Sequence, residues 1–260
     1  MIKMYCMKSF YIFISICLVV SISLSVYVVA SNSDSDITES VSDTQDSLIC
    51  NSAMSPDGKI EAMIKSEEGM LFDSVLLKDM TGTTNEIVLE NILYTSIESF
   101  TWIDNDRLAL CGHVNPSLEV YVLIDANKKK ILEKHDGIGF KWNKNKNKLY
   151  YVIASPYFGE VRISDKIVDN EGNTYYESED GMSLTNVLAF SEDEQDFAFF
   201  INNNETYEKK LIIAKLEKDK KLKKNAELSV EFGDIKFNAD KSVQLKNMNG
   251  CITNYKLDVN

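Results

Sequence analysis

From position 48 onward, apolar residues fall in short runs separated by polar turns, and the runs recur in the same order along the chain. Each unit reads as a short apolar strand, a polar turn, a strongly apolar strand, a loop, a third apolar strand and a weaker fourth. Leu149-Tyr150-Tyr151-Val152-Ile153 and Phe197-Ala198-Phe199-Phe200-Ile201 are rich in aromatic and β-branched residues and too short for typical helices. No strong amphipathic helix of useful length occurs after Ala30. The pattern predicts an all-β domain.

The first copy takes strands at 48–54, 59–65, 74–78 and 86–89, with the turn Ser55-Pro56-Asp57-Gly58 between the first two. The second takes 99–103, 107–111, 118–125 and 130–134, and the third 139–142, 149–154, 160–167 and a weak segment near 174–177. The fourth takes 186–190, 196–201, 210–216 and 226–232; the fifth, at 234–237, 242–246 and 251–259, lacks an evident fourth strand. Met54, Trp102, Trp142, Phe190 and Phe237 share one slot, the last bulky residue before the turn. Their spacing of roughly 40 to 48 residues is the period of a four-stranded propeller blade. The expected fold is therefore a β-propeller of about five four-stranded blades. Residues 37–44 are a candidate for the missing strand, which would bring Cys50 and Cys251 to adjacent blades, where a disulfide needs Cα atoms within ~7 Å.

SPDGKIEAMI in the first copy, with FTWIDNDRLAL and VYVLIDANKKK in the second, resembles the WD40-like (PD40) repeats of TolB-type β-propellers. The resemblance extends over essentially everything from Leu48, but only the first turn matches in full. Later copies replace Pro56-Asp57-Gly58 by Asp104-Asn105-Asp106, Lys144-Asn145-Lys146, Glu192-Asp193-Glu194 and Ala239-Asp240-Lys241.

The segment before the repeats changes the picture. Lys3 and Lys8 precede an uncharged run over 10–30, long enough to span a bilayer, for which about 20 apolar residues suffice. Residues 1–30 thus read as a signal peptide ending at Val28-Val29-Ala30 or as an uncleaved signal anchor, and the lysines place the rest of the chain outside the cytoplasm. Bulky Ile16 before Cys17 disfavours a lipoprotein box. Residues 31–47 form a polar, acidic linker unable to offset its ordering entropy by burial, leaving 48–260 as the propeller domain. The net charge is −12, and −14 without Lys3 and Lys8, which argues against nucleic-acid binding.

Candidate chemistry is sparse. Asp57, Asp104, Asp193 and Asp240 read as turn residues accepting hydrogen bonds from nearby amides. His113 and His135 have no neighbouring Cys or His at zinc-ligand spacing, so no metal site is expected. Residues 169–173 read as a tight turn rather than a calcium loop, and the lysines between 209 and 224 as a solvated hairpin tip. No catalytic residue and no cofactor are assigned. Tyr157, Phe158, Tyr175 and Tyr176 fall in expected loops of the third repeat and are candidate anchors for a partner. The function expected is a non-catalytic protein- or envelope-binding module. The alternative is a glycan-acting hydrolase with a carboxylate pair in the propeller channel.

Overall fold

A computed structural model describes residues 48–67, 71–89, 96–115, 118–154 and 165–256. These all lie in the compact unit Ser47–Asn260. The apolar run 10–30, the linker, the proposed closing strand at 37–44, and Tyr157 and Phe158 lie outside the described residues. No helix among the described residues is long and apolar enough to cross a membrane.

Every element described is a strand, and every pairing is antiparallel. The first meander runs β1 (Leu48–Met54), β2 (Ile60–Glu67), β3 (Leu71–Asp79) and β4 (Thr84–Val88). Then come β5 (Ser96–Trp102), β6 (Arg107–Asn115), β7 (Leu118–Asp125), β8 (Lys130–Trp142), β9 (Leu149–Ile153), β10 (Lys166–Asp169) and β11 (Thr174–Glu177), hydrogen-bonded in sequence order as one seven-stranded sheet. This sheet is two meanders joined through β8: residues 130–137 pair with β7, and Ile138, Lys141 and Trp142 pair with β9. Gly139 marks the handover. It has φ +68, and a Cβ there would collide with the Asn186 carbonyl, so the position demands glycine both for conformation and for space. The remaining strands are β12 (Met182–Phe190), β13 (Asp196–Asn203), β14 (Lys209–Leu216) and β15 (Leu222–Ser229), then the three-stranded β16 (Gly233–Phe237), β17 (Val243–Asn247) and β18 (Ile252–Tyr255).

Alternation along these strands sends successive side chains to opposite faces, and this builds the cores. Ala62, Ile64, Val75 and Leu77 pack against Leu108, Leu110, Val122 and Ile124 between the first and second meanders. The other face of the second meander, with Ala109, Cys111, Tyr121 and Leu123, meets Leu149, Tyr151 and Val168 of the third. Tyr150, Val152 and Ile167 then meet Phe197, Phe199 and Ile212 of the fourth, and Ala198, Phe200 and Ile213 meet Ile235, Val243 and Leu245 of the last sheet. Fully burying one such aliphatic or Phe side chain contributes about 1.5–3 kcal/mol, so these intersheet layers dominate the stability.

The repeated slot explains how each layer is registered. Trp102 donates its indole N–H to the Ala53 carbonyl of the first meander at 3.1 Å. Trp142 donates to the Tyr121 hydroxyl of the second at 2.6 Å. Phe190 packs on Tyr150 of the third, ring centroids 4.9 Å apart, and Phe237 joins the core shared with the fourth. Met54, with no earlier sheet among the described residues, is 54% exposed.

The turns after these residues share one design. Ser55 Oγ accepts from the amides of Lys59 and Ile60, and Ser191 Oγ from Asp196; in the third copy Asn143 Oδ1 accepts from Asn147 and Lys148. Gly58 sits at φ +72, and the equivalent positions carry Lys146 (φ 55), Glu194 (φ 56) and Lys241 (φ 62). Such residues are strained in the left-handed region. Each of these three side chains, however, reaches back to the preceding meander. Lys146 Nζ donates to the Ile103 carbonyl. Glu194 accepts from Asn143 Nδ2 at 2.8 Å and from the Tyr150 hydroxyl at 2.6 Å. Lys241 pairs with Asp193 at 2.6 Å and with Asp196 at 3.2 Å.

Bonding to Lys241 first, and to Ser191 second, holds the Asp193 carboxyl at about 2, below its ordinary 3.8. A carboxyl lowered in the folded state stabilises fully above its unfolded pKa, and that contribution vanishes as pH falls through the folded value. Lys241→Met should lower stability at neutral pH, since it removes the ammonium partner of Asp193 and of buried Asp196. Urea midpoints measured from pH 5 down to pH 2 should fall more shallowly for the variant than for the wild type; identical slopes would show that the pair does not form.

Candidate functional site

The residues named from sequence as partner anchors divide three ways. Tyr157 and Phe158 lie outside the described residues. Tyr175 is a core residue, 2% exposed, in the strand expected near 174–177, and this corrects its reading as an accessible loop anchor. Strand β11 pairs with β10, Ile167 opposite Tyr176, and the alternation turns Tyr175 inward, where its ring meets Tyr150 edge-on at 5.3 Å. Its hydroxyl donates to Asp169 Oδ2 at 2.7 Å. Tyr176 is half-buried, its ring 4.7 Å from that of Phe199. Both rings belong to the layer between the third and fourth meanders, not to a free surface.

The turn aspartates are placed as the sequence implies. Asp57 accepts from the Ser55 hydroxyl and the Lys59 amide, Asp104 from the amides of Asp106 and Arg107, Asp193 from the Ser191 hydroxyl, and Asp240 from the Ser242 amide and hydroxyl. Asp169, fully buried, accepts from the amides of Glu171 and Asn173, with Gly172 at φ +83 closing the turn. Burial would raise its pKa, but the bonds from Tyr175 and Asn173 outweigh that and hold it lowered. Of the basic cluster, Lys210 and Lys224 both pair with Glu227, at 2.8 and 2.5 Å.

One constellation escaped the sequence reading. His113 Nε2 lies 2.6 Å from Glu98 Oε1, and one ligand atom each from Glu98, His113 and Glu119 falls within 4.8 Å of the others. Strand geometry assembles them. Cys111 and His113 are two apart on β6 and share a face, Glu119 of β7 is directly opposite His113, and an irregularity between Ile97 and Ser99 delivers Glu98 from β5. Glu119 is 4% exposed and accepts from the Gly139 amide at 3.2 Å and, weakly, from the Cys111 thiol at 3.8 Å. Burial first, then Glu98, raises the Glu119 carboxyl; burial, then Glu119 and Glu98, pushes the Cys111 thiol up to about 12. His135 pairs with Glu133 at 3.0 Å and contacts the Tyr151 hydroxyl, without a second carboxylate in the group.

The cluster sits at the β6–β7 end of its meander, opposite the end that carries the Asp57-type turns. Large apolar side chains are exposed at the equivalent hairpins of the last two sheets. Tyr207, between β13 and β14, is 77% exposed, and Met248, between β17 and β18, is 82% exposed.

Tyr175→Phe should destabilise the protein by about 1–2 kcal/mol, the cost of depriving a buried carboxylate of one donor. Chemical denaturation measures this directly, and an unchanged midpoint would return Tyr175 to the surface.

No protein-family model matches the sequence, and no curated protein matches it. Among solved structures the chain is similar to TolB from Acinetobacter baumannii, with 14% identity over 82% of this chain and 52% of that one and a TM-score of 0.43. It is also similar to the β-propeller domain of the Trilobed protease from Pyrococcus furiosus, with 13% identity, 82% and 69% coverage and a TM-score of 0.44. A third is KlAtg21 in complex with the coiled-coil of AgAtg16, with 13% identity, 85% and 71% coverage and a TM-score of 0.48. The chain spans about half the length of the TolB structure, and these likenesses carry no activity across to it.

Proposed function

We propose that the chain is an extracytoplasmic, non-catalytic propeller of five blades, carried by its N-terminal apolar segment as a secreted or membrane-anchored protein, that binds a protein or a cell-envelope component. The observation that carries this reading is the pair of exposed apolar tips, Tyr207 and Met248, at the same hairpin of the last two sheets. In a meander the turns joining second to third strands all lie on one rim, so the two tips face the same way. Tyr and Met are residue types enriched in contact surfaces, and isolated loop tips gain nothing for the fold by displaying them.

The hydrolase alternative requires two carboxylates free to flank a glycosidic bond. Glu98 and Glu119 are near neighbours, but His113 is bonded to the first and the second is buried, so the pair supports that chemistry less well than the tips support binding.

Site-specific photocrosslinking in the native envelope tests the proposal. A benzophenone side chain at position 207 or 248 should yield a discrete adduct, whereas one at Asn105, in a turn on the opposite rim, should not. Equal labelling from both rims, or no adduct from either tip, would overturn the binding surface.

A further inference from the structure

The Glu98, His113 and Glu119 group is a mixed set of oxygen and nitrogen ligands gathered from three adjacent strands, and its arrangement is not explained by the requirements of packing. A buried carboxylate is costly unless its charge is compensated. Glu119 is 4% exposed and faces a second carboxylate, Glu98, across an imidazole. Among the described residues no lysine or arginine lies within ion-pairing distance of it; its partners are one backbone amide and one thiol. By contrast, Asp196, also buried, is met by Lys241, and buried Asp169 by the Tyr175 hydroxyl, the Asn173 side chain and two turn amides. Those carboxylates are compensated by an ammonium group or by several strong donors, and Glu119 has neither.

From this geometry we infer that Glu98, His113 and Glu119 bind a divalent cation of the zinc class, with the carboxylates and His113 Nε2 as ligands and the Cys111 sulfur beside them. Zinc takes carboxylate oxygen and imidazole nitrogen at about 2.0–2.2 Å, which puts the ligand atoms roughly 3–4 Å apart. Atoms already within 4.8 Å reach that spacing by side-chain adjustment alone. The protein ligands fit a borderline cation better than calcium or magnesium, which prefer all-oxygen shells. The Gly139 amide bonded to Glu119 is an outer-sphere contact that fixes the carboxylate, as second-shell donors do at metal sites. Because Gly139 opens the third meander while the ligands belong to the second, the cation would be seated where two meanders meet, on the rim that displays Tyr207 and Met248. The site stands independently of the proposed partner-binding role.

The test uses the full chain in a mild detergent, stripped of metal by chelator and dialysis, and titrated calorimetrically with zinc chloride. The expected result is one saturable site per chain. Glu98→Gln and His113→Gln should each weaken binding at least about 100-fold, more than the loss of an outer-sphere partner costs, and His135→Gln should leave it unchanged. The Glu98 side chain is 41% exposed, so its variant retains the fold, which near-ultraviolet circular dichroism verifies. Saturating zinc should also raise the melting temperature of the wild type and of His135→Gln but not of Glu98→Gln. Absence of zinc binding by the folded wild type would overturn the site, as would binding that survives in both ligand variants, since the cation would then sit elsewhere.

Discussion

The structure depends on one recurring contact: the bulky residue that ends the first strand of each meander leans on the sheet before it. Trp142 shows the contact most fully, with its ring in the layer between two meanders and its indole N–H on Tyr121. Burial of the ring supplies most of the energy, since apolar area counts about 25 cal/mol per Å² while a neutral hydrogen bond nets only about 1 kcal/mol. The hydrogen bond contributes position. It fixes how far one sheet slides over the next, which non-directional apolar contact leaves free.

The turns reinforce that registration. Where the first repeat has Gly58, three later ones accept a strained backbone in order to carry Lys146, Glu194 or Lys241, and each of these side chains crosses to the preceding sheet. The departures from the Ser-Pro-Asp-Gly pattern are therefore not decay alone. They exchange backbone ease for a bond between meanders, and the first repeat, with no earlier meander among the described residues, keeps its glycine and leaves Met54 exposed. The Asp57-type carboxylates serve the turns throughout, and the opposite rim carries the exposed tips Tyr207 and Met248 together with the acidic histidine cluster.

Much of the architecture was legible in the sequence because period-2 alternation and a turn every few residues are local signals. The slots at Trp102, Trp142, Phe190 and Phe237 and the turn role of Asp57 and Asp193 come from such signals. What was not legible depends on register. The strand near 174–177 was legible only as a weak segment, its four residues are too few to show which side chains face inward, and only the pairing of β11 with β10 turns the Tyr175 ring into the core. The Glu98, His113 and Glu119 group was missed for the same reason: its members are spread over three strands, and Glu98 arrives through an irregular pairing that no spacing rule encodes. The spacing Cys111-x-His113, with a glutamate across the hairpin, was the one signal in the sequence that pointed to it.

The central claim, that the slot residue couples each sheet to its predecessor, is tested most directly by a double-mutant cycle on Trp142→Phe and Tyr121→Phe, which keeps an aromatic ring at each position and removes the bond at 2.6 Å. Urea denaturation of the two single variants and the double variant should give a coupling energy of about 1 kcal/mol. Strict additivity of the two substitutions, within about 0.3 kcal/mol, would show that the sheets are registered by other means and would contradict the account.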